Sequence, residues 1–245
     1  MKNANIHIGC SAFYNKEWKT VFYPDELPTK DWFGFYTQQF ETFEINATFY
    51  RFPTVRVMEN WYKKTPENYL LSVKAPKQIT HILRFKNVEE IINKFYSNCK
   101  NGLKEKLKCV LFQLPPSFKY SPENLSLVIK SLNPEFKNVV EFRHESWWNE
   151  EVYLKFSESN IAFCSVSYPS LPEEIIDTAT TLFIRLHGNK KLFYSNYNKS
   201  YLEELYKKLK QVPYSKEVYI YFNNTASASG VMNALLLQEI INNGD

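Results

Sequence analysis

The chain has only four cysteines, Cys10, Cys99, Cys109 and Cys164, with no paired spacing and no Cys-x-x-Cys. That scarcity argues against a disulfide scaffold and fits reduced thiols in a cytoplasmic protein. No run of about 18 apolar residues is present to span a membrane. Met1 to Ile8 hold no apolar core of a signal peptide, so a soluble chain with no membrane partner is expected. Low-complexity tracts, Pro/Gly-rich linkers and composition shifts are also missing, which leaves no boundary to divide residues 1–245 into more than one domain. Neither Gly-x-Gly-x-x-Gly nor a Walker-type loop occurs, and this weighs against dinucleotide-binding and P-loop folds. Positive charge is not dense either. With 30 Lys and Arg against 26 Asp and Glu, the net charge is +4, short of the basic stripe that a dedicated duplex binder carries.

What the chain does have is apolar runs in quantity. At 245 residues and 44% hydrophobic it can form one large core. Eight short runs recur: Ile6 to Ser11, Thr42 to Phe49, Tyr69 to Pro76, Cys109 to Pro115, Val139 to His144, Ile161 to Ser167, Leu182 to Gly188 and Val218 to Asn224. Helix-period segments lie between most of them. Asn87 with Glu90, Ser121-Pro122, and Ser200 with Glu203 supply start signals. Strand then helix, repeated, implies parallel strands, and eight such units in about 250 residues predict an α/β fold of the (β/α)8, TIM-like barrel type. An irregular connection is expected between the sixth and seventh strands, because 168–180 carries two prolines and has little room for a helix.

Period-two alternation assigns the faces of each strand. Phe43 and Ile45 oppose Glu44 and Asn46; Leu71 and Val73 oppose Ser72 and Lys74; Phe112 and Leu114 oppose Gln113. Glu141 and Arg143 share a face, as do Arg185 with His187 and Tyr221 with Asn223. The aliphatic faces should meet the helices, so the polar ones point inward, where aliphatics normally fill a barrel. An internal ion pair can be purely structural. Here the inward cations Lys74, Arg143 and Arg185 outnumber Glu44 and Glu141, and a surplus of cations invites an anionic ligand.

Several blocks in order resemble a known family: Gly9-Cys10-Ser11, Glu44-Ile45-Asn46-Ala47-Thr48-Phe49-Tyr50-Arg51, Ser72-Val73-Lys74-Ala75-Pro76 with Ile79-Thr80-His81, Leu111 to Phe118, Glu141-Phe142-Arg143-His144-Glu145-Ser146-Trp147, Arg185-Leu186-His187-Gly188 and Tyr221-Phe222-Asn223-Asn224. They look like the successive blocks of the DUF72, or YecE-like, family over nearly the whole chain. The resemblance implies a TIM-like barrel and assigns no activity. Two departures are that Ser165 to Pro169 lacks an aspartate found in many members, and that Ala228 stands where glycine is usual.

The residues themselves suggest acid/base chemistry. Glu44, Glu141 and His187 are the catalytic candidates, with Glu141 ionised beside Arg143 and Glu44 neutral. Asn46, Lys74, His81, Gln113, Arg143, Trp147, Arg185, Tyr221 and Asn223 are the substrate-binding candidates. The substrate expected is a polar anionic small molecule, phosphorylated or sugar-like, handled by a hydrolase, lyase or isomerase without an organic cofactor. A divalent metal on Glu44, Glu141 and His187 lacks any supporting spacing. Cys10 and Ser11 at the first strand's end are further nucleophile candidates, without a neighbouring activator in the sequence.

The alternative is a nucleic-acid-binding or processing protein. Aromatics make up 17% of the chain, and Phe13, Tyr14, Trp18, Phe49, Tyr50, Phe118, Trp147, Trp148, Tyr194 and Tyr197 fall in segments expected at the rim of the barrel, where rings can stack on a base or sugar. Lys190 and Lys191 beside Leu192-Phe193-Tyr194 suggest a mobile basic lid. Oligomeric state is left open by the sequence.

Overall fold

A computed structural model of the chain describes residues 4–244. In chain order its elements are β1 (Asn5–Cys10), α1 (Trp32–Gln39), β2 (Thr42–Ile45), α2 (Ala47–Tyr50), α3 (Val55–Lys64), β3 (Leu70–Lys74), α4 (Glu89–Leu103), β4 (Leu107–Gln113), α5 (Pro122–Ser131), β5 (Asn138–Glu141), α6 (Glu150–Glu158), β6 (Ala162–Phe163), β7 (Ser165–Ser167), β8 (Thr181–Leu186), α7 (Lys199–Leu209), β9 (Glu217–Phe222) and α8 (Ser229–Asn243). Every strand falls within one of the eight apolar runs or within one residue of it, apart from the first two residues of β4. The strands make a four-stranded sheet in the order β1-β9-β8-β7 and a five-stranded sheet in the order β2-β3-β4-β5-β6, with parallel pairing. The fold is therefore α/β with parallel sheets, as strand–helix alternation requires.

The chain forms two compact units, one from Met1–Phe43, Ser165–Ile175 and Thr180–Asp245, the other from Glu44–Cys164 and Ile176–Ala179. In the second unit, helix starts follow local chemistry. Ser121 caps α5 by accepting from the Asn124 N–H, with Pro122 at the first helical position. Asn149 caps α6 through the Val152 N–H. α4 buries Ile92, Phe95, Tyr96, Cys99 and Leu103, a stripe at helical spacing. A Cβ on Gly102 would meet the backbone of α3 at Val55 O (2.8 Å) and Glu59 N (3.0 Å), so only glycine permits this helix contact.

In the first unit, the sheet face that carries His7, Phe183 and Arg185 is graded. Near the N-terminal ends of the strands it is ring-filled: His7 lies 4.9 Å from Tyr219, and Phe183 lies 5.2 Å from Tyr221. Toward the C-terminal ends come Arg185 and then His187, Asn223 and Ser11. β1 reaches Thr42 through a side chain. The Cys10 N–H donates to the Tyr36 phenol oxygen (2.7 Å), and that phenol donates to Thr42 O (3.2 Å). Gly9 comes so close to Thr42 that a Cβ there would overlap its carbonyl.

Three expectations about elements are corrected. The sixth run is split at Cys164: Ala162–Phe163 pairs with β5 and Ser165–Ser167 with β8, so the described residues hold nine strands. Asn87 is not a helix cap. It sits at φ 51° in the left-handed region, and α4 starts at Glu89 without a side-chain cap. Nor does Ser200 cap α7; Asn198 does, accepting from the Tyr201 N–H. The 168–180 connection has no helix, in line with its prolines.

Candidate active site

In the second unit the polar candidates gather at the C-terminal ends of β2 to β5. Lys74, Gln113 and Glu141 are the last residues of their strands, and Gln113 is laterally paired with Glu141. The buried Glu141 carboxylate accepts from Arg143 Nε through Oε1, while the Cys164 thiol lies 3.8 Å from Oε2. Residues two apart on a strand share a face, which is why this pair forms. Glu44, also buried, accepts from Asn46 Nδ2 at 2.9 Å, and Asn46 turns the chain into α2. Gln113 donates to the carbonyl of Leu114 (2.8 Å).

Lys74 places its ammonium 4.2 Å from the centre of the Phe49 ring. His81 meets the same ring edge-on at 5.0 Å. His81 sits in a π-helical turn, Gln78–Ile82, a geometry often found at functional sites. Burial and the cations Lys74, Arg143, Arg84 and Lys77 push its pKa down to about 4, so the imidazole is neutral at pH 7. Its Nδ1 lies 2.9 Å from the Thr80 hydroxyl.

The first unit carries a second cluster. Arg185 and Tyr221 are lateral neighbours, and the Tyr221 hydroxyl is 2.5 Å from the Thr42 hydroxyl. Arg185 Nη1 is 3.5 Å from His187 Nε2, and the Asn223 side-chain amide is 2.7 Å from Nδ1. Both Arg185 and His187 are buried. The Ser11 hydroxyl donates to the Asn223 side-chain carbonyl, 2.5 Å away, which leaves the Asn223 amide nitrogen facing His187 Nδ1.

The family model described as protein of unknown function DUF72 matches residues 7–245. The chain belongs to the DUF72 family. UPF0759 protein YunF of Bacillus subtilis is 26% identical over 269 residues, covering 96% of this chain and 94% of that protein. A solved DUF72 family protein from Thermotoga maritima is 27% identical, with a TM-score of 0.88 over 97% of this chain and 99% of that one. A DUF72 family protein from Enterococcus faecalis, 20% identical, matches with a TM-score of 0.83 over 97% of this chain and 95% of that one, a likeness of fold alone.

DUF72 blocks also contain residues whose role the geometry revises. Trp147 is fully buried, in parallel planes with Phe142 at 3.8 Å and Phe118 at 5.6 Å, and its Nε1 donates to Phe118 O (2.7 Å). It is packing, with no ring face open to a ligand. Trp18, Phe118 and Tyr197 are buried likewise, while Tyr14, Tyr50 and Tyr194 are exposed. Cys10 is sealed, and burial pushes its thiol pKa up, which removes it as a nucleophile. His144 caps the 145–147 turn by accepting from the Ser146 N–H.

The Lys190–Lys191 loop is pinned, because Ser195 Oγ accepts from both backbone N–H groups (3.1 and 2.8 Å). Among the described residues no three His, Cys, Asp or Glu side chains are grouped to hold a metal ion, and no helix is long and apolar enough to cross a membrane. Sequence reasoning missed Arg84, which donates to Ser117 Oγ (3.2 Å) and adds to the positive field on His81. Its spacing of three from His81 was the available signal.

Proposed function

We propose that this DUF72 protein is an enzyme that binds a polar anionic small molecule, phosphorylated or sugar-like, at the C-terminal ends of β2 to β5, and acts on it by general acid/base chemistry without an organic cofactor. Lys74 and Arg143 hold the anion, the first as a point charge and the second as a planar fork oriented by Glu141. Glu141, beside a guanidinium, is the ionised carboxylate and base; Glu44, held by Asn46, is the acid. Neutral His81 contributes a hydrogen bond to the substrate, Gln113 lines the same strand ends, and His187 with Arg185, Tyr221 and Asn223 supplies the acid/base candidate of the four-stranded sheet.

The observation that carries this reading is the concentration of Lys74, Lys77, Arg84 and Arg143 about one half-buried imidazole. Such a field favours an anion and disfavours a second cation. The proposal includes closure of the strands into the (β/α)8 barrel that eight strand–helix repeats favour. It also includes a cytoplasmic setting, since none of the four buried cysteines is in a disulfide.

The test is a titration of the protein with inorganic phosphate, following the His81 ring by NMR. A bound dianion should raise the His81 pKa, and Lys74→Met with Arg143→Met should weaken binding by about tenfold or more, a loss of ~1.4 kcal/mol. An unmoved His81 titration at saturating phosphate, or unchanged affinity in the double variant, would remove the anion site.

A further inference from the structure

On the helix-facing side of β7 and β8, residues 173–175 of the irregular connection and Tyr201, Leu205 and Lys208 of α7 form a roof. Beneath this roof is a cavity of about 180 Å³. Its floor sets two small hydroxyls beside two aliphatics, since Ser165 pairs with Ile184 and Ser167 with Leu186, all four buried. A strand face meant for a helix is normally filled by branched aliphatics. Serines leave more room, part of it taken by Tyr197, whose phenol donates to Ser167 Oγ (2.9 Å).

The walls are acidic. Tyr201 donates its phenol proton to Glu173, which fixes both side chains at the cavity. Glu174 and Glu204 also line it, against a single ammonium, Lys208. Glu204 is met by Lys207 at 3.4 Å, which leaves the exposed Glu173 and Glu174 against Lys208 alone among the lining residues.

We propose that this cavity binds a small amine cation, its hydrocarbon body on Ile184, Leu186 and Leu205 and its ammonium against Glu173 and Glu174. A cavity of ~150 Å³ accepts benzene, so one ring with a short amino arm fits the space. Ile184 and Leu186 flank Arg185 on its strand and therefore point to the opposite side of the sheet. This site is separate from the acid/base chemistry proposed above, and either can fail alone.

The probe is benzylamine, titrated into the full chain at pH 7 with amide NMR shifts as the readout. The expected result is saturable shifts at 165–167, 184–186 and Tyr201, binding about tenfold weaker for benzyl alcohol, and a similar loss in Glu173→Gln/Glu174→Gln. Leu205→Trp should abolish the shifts by filling the space. Should that variant not fold, the charge variant still decides. Equal binding of benzyl alcohol, shifts that map elsewhere, no saturable binding, or indifference to the glutamate changes would each overturn the proposal.

Discussion

His81 refuses a proton that the unfolded chain would accept. Its pKa falls from 6.5 to about 4 on folding, through burial and then Lys74 and its cationic neighbours. Between those values the unfolded state binds more protons, so stability should decline as pH drops from 6.5 toward 4, with the loss complete below the folded value. An NMR titration of the imidazole gives the midpoint directly, and Lys74→Met should move it upward. A midpoint near 6.5 in the unaltered protein would contradict the positive environment. Glu141 poses the opposite problem, a buried carboxylate that needs its partner. Arg143→Met should cost about 3–5 kcal/mol in urea unfolding, and adding Glu141→Gln should recover part of it. At this scale the sequence was informative wherever two residues share a strand face, as with Glu141 and Arg143. It placed Trp147 among the substrate contacts and missed its burial, because the ring's neighbours Phe118 and Phe142 come from the segments after β4 and β5, which no local pattern brings together.

Helix starts show how far local patterns carry. Ser121-Pro122 read correctly because Ser accepts the N–H two or three residues on and Pro fits only at the first helical position. Ser200 with Glu203 matched the capping pattern, yet the chain uses Asn198, two residues earlier. Asn87 offered a cap, but its left-handed backbone removes it from that role. The contrast is measurable. Ser121→Ala should destabilise by about 1 kcal/mol, whereas Ser200→Ala should fall within about 0.5 kcal/mol of zero. Equal effects in denaturant unfolding would mean that the caps are misassigned.

For the molecule as a whole, the parallel α/β class was legible from alternating runs and helices, since parallel strands need crossover helices. The split of the sixth run was not. Both halves, Ala162–Phe163 and Ser165–Ser167, are equally apolar or small, and which neighbour each pairs with is a long-range outcome. Net charge of +4 is spread over a chain whose rings Trp18, Phe118, Trp147 and Tyr197 are buried, so few platforms are left for stacked bases. Fluorescence anisotropy should accordingly show no binding of single-stranded oligonucleotides at low salt; a steep decline of affinity with added salt would restore the nucleic-acid alternative.

One phenol oxygen receives the Cys10 amide and reaches on to Thr42. Where most of this sheet is held by rungs of backbone, here the fastening belongs to a side chain and can be removed without altering the backbone. Tyr36→Phe deletes that one atom while keeping the ring, and the Cys10 amide should then exchange with solvent deuterium far sooner than its neighbours along β1. The first strand would thus carry a built-in reporter of local opening, silent until its oxygen is taken away.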